Sequence, residues 1–363
     1  MNNAVAIEVV NLTKHYGELL AVDHVSFAVR RGEFFGFLGP NGAGKTTTVR
    51  MLTGVINPDK GRASILGYQA GSLKAKQLTG VVPEMANAYA DLSGWDNLML
   101  MAELYGISAS EAWGKSISLM QETGLSPRKD DPVKTYSKGM KQHLILCMAL
   151  ISDPEVLFLD EPTSGLDVQS ARLMKGVLQG LNAEGKTIFL TTHDMDEANQ
   201  LCDRAAIINK GSMVAIDAPE KLRMAMSGMH SVEVSFDNAV SPEALANVPG
   251  VNTVKKLGDK WRLYTTNPGE LVVSLANYSS SHGLNVISLS MLAPSLEDAF
   301  VALTEKEARD AWYGAGMATG AAFSCHSSQG RAYLLRQGTG NNLWGSLPRV
   351  PVSVLHHREE PVG

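Results

Sequence analysis

The stretch GPNGAGKTT, Gly39 to Thr47, constrains this chain more than any other. It has the form G-x-x-x-x-G-K-[ST], follows the strand-like run EFFGFLG and opens the helix-like run KTTTVRMLTG, Lys45 to Gly54. A glycine-rich turn between strand and helix lets the backbone wrap with its N–H groups turned inward, a cradle for a triphosphate. Residues Gly39, Pro40, Asn41, Gly42, Ala43, Gly44, Lys45, Thr46 and Thr47 line that cradle. Lys45 supplies charge to the β- and γ-phosphates, and the Thr46 hydroxyl is offered to Mg²⁺.

The surrounding pattern suits such a turn. VAIEVV (Val5 to Val10), VSFAV (Val25 to Val29), VLFLDEP (Val156 to Pro162), KTIFLTTH (Lys186 to His193) and RAAIINKG (Arg204 to Gly211) read as strands separated by helical stretches. Continuous apolar runs such as VLFL suit strands buried on both faces, so the expected class is α/β with a largely parallel sheet. Between Met85 and Leu150 the strand signals fade. Trp95 to Gly106, Glu111 to Gly124 and Ser137 to Ile151 read as helices, a helical subdomain at about 85–151. These elements make a first domain over 1–218. From 219 to 306 the order becomes β-α-β-β-α-β, with a hairpin at Gly258-Asp259. That predicts a small ferredoxin-like α+β domain, and a last helix is expected from PSLEDAF with Ser295 as its cap. The stretch 307–363, rich in Gly, Ala and Ser at its start, shows no steady periodicity and is expected to be a flexible tail.

Composition excludes several classes. A net charge of −5 gives no basic excess for a nucleic-acid surface. Three widely spaced cysteines argue against a disulfide framework or a zinc site. No apolar run reaches the roughly 18 residues of a membrane span, and MNNAVAIEVV does not read as a signal peptide. The expectation is a cytosolic protein that touches a membrane only through a partner.

Two further stretches carry chemistry. In VLFLDE, Asp160 stands at the end of a buried strand, where a Mg²⁺-orienting carboxylate belongs. Glu161 follows and can polarise an attacking water as a general base. Together with the cradle they point to ATP or GTP hydrolysis. YSKGMKQ, Tyr136 to Gln142, reads as a helix start: Ser137 can cap, Gly139 lets a ligand approach the backbone, and Lys138 and Lys141 add positive charge. Alone it reads as a plain helix start with a capping serine.

Taken in order, these motifs resemble the nucleotide-binding subunit of an ABC (ATP-binding cassette) transporter over about residues 5 to 218. KHYG places Tyr16 where an aromatic ring stacks on adenine. GPNGAGKTT follows, then VVPE at the glutamine-loop position, YSKGM at the place of the LSGGQ signature, VLFLDEPTSGLD, and TTHD with His193. The resemblance implies a P-loop NTPase cassette with a helical subdomain, using ATP and Mg²⁺. It implies that Ser137, Lys138 and Gly139 contact a γ-phosphate held by the Lys45 of a second copy in a head-to-tail dimer. It implies that Asp167 bridges across that dimer and that His193 positions the γ-phosphate and the attacking water. The plain alternative for Asp167 is a helix N-cap, which is compatible with that role.

The sequence departs from the family in places. Glu84 replaces the usual Mg²⁺-ligating glutamine, and a carboxylate is also a hard oxygen ligand. The signature has Tyr136 for Leu, Lys138 for Gly and Met140 for Gln. Lys138 either adds a charge near the partner's phosphate or points to solvent, and a helix-start lysine usually stays hydrated.

The resemblance further implies a transmembrane permease partner, docked at Met85 to Asn97 with Tyr89, Leu92 and Trp95 exposed. The ending PSLEDAFVALT is similar to exporter-type, drug-resistance subunits that pair with separate permeases, which points to an ABC-2-type exporter. The alternatives are a soluble ABC ATPase acting on ribosomes or DNA, and a soluble ATP-dependent dimerisation switch with weak turnover.

Overall fold

The computed structural model describes residues 4–85, 88–224 and 230–292, together with four two-residue strands between 323 and 336. The helix expected from PSLEDAF lies outside these residues, as does most of the expected tail. By contact density the chain divides into units 1–307 and 308–363.

The first unit is built on a six-stranded sheet of order β10-β9-β3-β8-β7-β6. Its strands are β3 (Phe34–Leu38), β6 (Thr79–Val82), β7 (Val156–Asp160), β8 (Thr187–Thr192), β9 (Arg204–Asn209) and β10 (Ser212–Asp217). Only β10 runs antiparallel, pairing with β9. Every residue of β3, β7 and β8 is buried. This is the burial expected for continuous apolar runs covered on both faces.

The period-two alternation sends these side chains to two different cores. Phe35, Phe37, Phe158 and Phe189 face a second sheet and pack with Ile7, Val9, Val22, Val25 and Phe27. That sheet has order β2-β1-β4-β5, from β1 (Val5–Tyr16), β2 (Leu19–Arg30), β4 (Lys60–Ile65) and β5 (Tyr68–Gln69). Phe27 joins the two, with its ring 5.6–5.8 Å from those of Phe35, Phe37 and Phe189. Each such buried ring is worth roughly 2 kcal/mol of transfer free energy. Phe34, Leu38, Leu157, Leu159, Ile188 and Leu190 face the helices.

The helical layer contains α3 (Gly94–Leu104), α4 (Ala109–Glu122) and α5 (Lys138–Leu150). Ser93, Ser108 and Ser137 cap them with side-chain oxygens. From Gln142 onward every residue of α5 is buried, as expected for a helix apolar on all sides. Cys147 lies in it at 0% exposure, and burial pushes its thiol up to about 12, so it stays neutral and inert at physiological pH. Tyr136, the departure from the family pattern, is buried, and its hydroxyl donates to the Arg128 carbonyl at 2.7 Å. Gly94 makes room for it: a Cβ there would stand 2.3 Å from the Tyr136 hydroxyl oxygen.

The segment 230–292 has the predicted β-α-β-β-α-β order: β11 (His230–Phe236), α9 (Pro242–Ala246), β12 (Thr253–Leu257), β13 (Lys260–Thr265), α10 (Pro268–His282) and β14 (Val286–Leu292). Its antiparallel sheet runs β12-β13-β11-β14 over a core of Val232, Val234, Trp261, Leu263, Leu271 and Leu275. The fold class is therefore as expected. Strands β4, β5, β6 and β10 were not read from the sequence, because KGRASI and YQ carry no buried alternation and TGVV is too short to register. In the second unit Phe323–Ser324 pairs with Leu335–Arg336, and Ser327–Ser328 with Arg331–Ala332.

Gly94→Ala should cost roughly 1–3 kcal/mol by overpacking. In a Tyr136→Phe background the loss should shrink, because the clashing hydroxyl is gone. Urea unfolding of the four proteins of this cycle measures both values, and additive losses would refute the contact.

Candidate nucleotide site

All parallel strands of the main sheet end on one side, the position where α/β sheets bind ligands. Gly39 follows β3, Asp160 ends β7 and His193 follows β8. Glu84 stands two residues past Val82, the end of β6.

Between β3 and α1 (Lys45–Leu52) the glycines are required by geometry. A Cβ on Gly39 would lie 2.3 Å from the Ile208 carbonyl, and one on Gly44 would lie 2.5 Å from that of Ala21, with φ at +105°. Helix α1 starts at Gly44 with no side-chain cap. The helices starting after Ser72, Ser93, Ser108, Ser137, Asp167, Asp194, Ser241 and Asn267 all have one. The first N–H groups of α1 have no intrahelical acceptor, and an anion is the partner they suit.

Behind this loop lies a polar chain that runs from buried Lys45 to exposed His193. Lys45, with 5% of its side chain exposed, pairs through Nζ with Glu161 Oε1 at 3.0 Å. The same ammonium donates to the carbonyls of Gly39 at 2.8 Å and Pro40 at 3.2 Å. The other Glu161 oxygen meets His193 Nδ1 at 2.9 Å. Asp160 is buried and accepts at Oδ1 from the hydroxyls of Thr191 at 2.6 Å and Thr46 at 3.3 Å.

Glu161 occupies the left-handed region at φ +49°, a conformation that costs a non-glycine residue on the order of 1 kcal/mol or more. Its N–H donates to the Thr191 carbonyl at 3.0 Å, which holds the strained residue in place. Thr191, which sequence reading did not single out, thus holds the Asp160 carboxylate and the Glu161 backbone. Its only signal was its place in FLTTH.

The side chains fit a magnesium nucleotide. The uncapped helix start and glycine cradle suit phosphates, and Thr46 beside Asp160 offers the few hard oxygens that Mg²⁺ takes from a protein. Among the described residues no three His, Cys, Asp or Glu side chains gather to hold a metal, so Glu84, an exposed carboxylate, joins no such group. Tyr16 ends β1 with its ring 46% exposed and the Lys14 ammonium 6.0 Å from the ring centroid.

The signature residues lie elsewhere, at the start of α5. Ser137 is the cap, accepting from the Met140 N–H at 3.2 Å. Gly139 makes room for a neighbour in its own chain, because a Cβ there would stand 2.3 Å from Ser170 Oγ. Lys138 is exposed, and its Nζ donates to the Ser164 carbonyl at 2.6 Å, over Gly165. Asp167 is the cap of α6 (Val168–Ala183), with bonds from Ser170 N at 2.9 Å and Ser170 Oγ at 2.7 Å. Those bonds hold its carboxyl below the usual range. Among the described residues no hydrogen bond joins Ser137, Lys138 or Gly139 to the Gly39–Thr47 loop.

The loop before α3 also differs from expectation. Tyr89 is 58% exposed and Leu92 37% exposed, but Trp95 is half buried, edge-on to Trp113 at 4.7 Å with the Lys129 ammonium 5.3 Å above its ring. Asn97, fully buried, pins the loop by accepting from Tyr89 N at 2.8 Å and donating to its carbonyl at 3.1 Å.

This combination of loop, carboxylates and helical layer defines an ATP-binding cassette, and comparison with known proteins agrees. Residues 22–164 match the family model described as ABC transporter. The chain is 38% identical over 306 residues to the Nod factor export ATP-binding protein I of Ralstonia nicotianae, covering 84% of this chain and 95% of that one. It is 36% identical over 307 residues to the linearmycin resistance ATP-binding protein LnrL of Bacillus subtilis, covering 83% and 98%. A solved ATP-binding subunit of an ABC transporter superposes with TM-score 0.57 at 30% identity, over 61% of this chain and 92% of that one. A bacterial ABC transporter cassette solved as a dimer shares the fold, with TM-score 0.55 at 24% identity over 58% and 98%. The chain belongs to the ATP-binding subunits of ABC transporters, of the exporter type, a family of ATPases coupled to transport. No helix among its described residues is long and apolar enough to cross a membrane.

ATP at a hundredfold excess over Kd should add about 2.7 kcal/mol to the stability of the folded chain. Gly44→Ala and Lys45→Met should lose that increment, as read by thermal unfolding with and without nucleotide.

Proposed function

We propose that this chain hydrolyses MgATP in a site completed by a second copy of itself, and so drives a separate membrane permease of an ABC-2-type exporter. The observation that carries the catalytic half is the chain from buried Lys45 through Glu161 to exposed His193, beside the Thr46–Asp160 pair, at a helix start that lacks a side-chain cap.

The residues divide the work as follows. The N–H groups of Gly39 to Thr47 and the Lys45 ammonium bind the phosphates, while Tyr16 stacks on the adenine. Thr46 and Asp160 hold Mg²⁺, with Glu84 as a further carboxylate from the end of β6. Bound Mg²⁺ supplies charge neutralisation between the phosphates. A phosphate competes with Glu161 for Lys45, which frees the Glu161 carboxylate to take a proton from water as general base. His193, hydrogen-bonded to Glu161, orients that water and the γ-phosphate. Ser137 and Gly139 bring the N-terminus of α5 to the nucleotide on a second copy, and Asp167 faces that copy's loop. Lys138 acts inside its own chain, through Ser164, and holds the signature beside that loop.

The permease surface is Tyr89 and Leu92, held out by Asn97, with exposed Trp113 beside them and Trp95 as their packed support. Export is supported by the names of the relatives, which describe export and resistance proteins. The working place is the cytoplasmic face of the membrane, reached through the permease.

The test is Mg²⁺-dependent ATPase rate per chain against protein concentration, with Glu161→Gln alongside. The expected result is a rate that rises with concentration and falls about a hundredfold or more in the variant, which should collect as an ATP-bound dimer on sizing. A rate that stays flat where sizing shows monomer would sink the shared site. Membrane co-purification of a permease tests the partner.

A further inference from the structure

Glu197 is a buried carboxyl group that the proposed chemistry does not use. It lies in the first turn of α7 (Met195–Leu201), four residues after His193, and is 0% exposed. Its Oε1 accepts from the Thr163 hydroxyl at 2.7 Å, and its Oε2 is buried with no protein partner among the described residues. A carboxylate withdrawn from water with so little compensation is costly, and buried polar groups of this kind call for an explanation.

Its one partner supplies it. Thr163 stands two residues past Glu161, inside a tight turn. The Ser164 N–H donates to the Glu161 carbonyl at 3.1 Å, and the Leu166 N–H donates to the Thr163 carbonyl at 3.1 Å. Fixing Thr163 therefore fixes the turn that carries Glu161 in its left-handed conformation. The segment 191–197 grips the segment 160–163 at three levels. Thr191 binds Asp160 and the Glu161 N–H, His193 binds the Glu161 carboxylate, and Glu197 binds Thr163. The first two contacts lie at the C-terminal ends of β7 and β8. The third lies behind them, in the core.

We propose that Glu197 is a positioning residue: through Thr163 it sets the turn after Glu161, and so keeps that carboxylate aligned between His193 and Lys45. Glu197 does not touch nucleotide. This inference rests on the reading of Glu161 as general base. It separates Glu197 from an ordinary core polar pair, because it ties the Thr163–Glu197 hydrogen bond to turnover and leaves nucleotide affinity alone.

The test measures kcat, KM for ATP and thermal midpoint in full-length Thr163→Val, Thr163→Ser, Glu197→Gln and the apolar pair Thr163→Val/Glu197→Leu. Thr163→Val should lower kcat about ten- to a hundredfold with KM nearly unchanged, as for a misplaced but intact site. Thr163→Ser and Glu197→Gln, which keep a donor and an acceptor, should stay within about threefold of the parent. The double variant strands no polar group, so it keeps the question open to measurement if Thr163→Val fails to fold. Its kcat should be as low as that of the single. Parental kcat in either Val-bearing protein, or equal loss in Thr163→Ser and Thr163→Val, would overturn the proposal. Glu161→Gln separates the two readings. If it turns over ATP like the parent, the general-base reading fails. If it is dead while the Val variants are active, only the role of Glu197 fails.

Discussion

The Lys45 ammonium is almost fully withdrawn from water, and much of the cassette is arranged around keeping it there. Isolated in a core, such a charge would be strongly destabilising. Two loop carbonyls and the Glu161 carboxylate surround it instead. The pair ties the turn after β3 to the end of β7, two strands that are not neighbours but flank β8. Strand β8 in turn holds the carboxylate side in register through Thr191 and His193. The doubly buried sheet is what makes this possible. Its apolar strands fix the three strand ends, and the polar groups at those ends are left with one another.

The face at the start of α5 follows a different logic. Gly139 receives Ser170, and the Lys138 ammonium reaches over Gly165 to the Ser164 carbonyl, so the signature turn and the loop ending at Asp167 fit together within one chain. The lysine that departs from the family pattern is therefore a bridge between two loops. Tyr136 is similarly absorbed: a hydroxyl where the family carries leucine finds the Arg128 carbonyl, and Gly94 leaves it space. Each departure is matched by a neighbour from another segment, Gly94 for Tyr136 and Ser164 for Lys138.

Much of the fold was legible because its signals are local. VLFL, TIFL and AAII are apolar runs of strand length, and the glycine-rich turn sits where a strand must pass into a helix. The period-two run HSVEVSF and the Gly258-Asp259 hairpin were likewise readable. KGRASI and YQ were not, since KGRASI is a strand only because β1 offers it a pairing edge and YQ only because β4 does. Lys45, Asp160 and Glu161 could be placed from spacing alone. Trp95, expected on an exposed docking face, is half buried because of what stands opposite, Trp113 with Lys129, and the bond from exposed Lys138 to Ser164 likewise depends on a neighbour that local sequence does not name.

The sequence by itself determined the α/β class, the phosphate cradle and the identity of the acid and basic groups, because glycine spacing, apolar periodicity and residue chemistry act over a few residues. Tertiary structure alone decided who holds whom. Glu161 lies between Lys45 and His193, Thr191 serves the Asp160 carboxylate and the Glu161 backbone, and Glu197 reaches Thr163 from the next segment. Each of those contacts joins residues about thirty or more positions apart. Their partners are set by which strands lie side by side in the sheet, and sheet order is a property of the whole packed core.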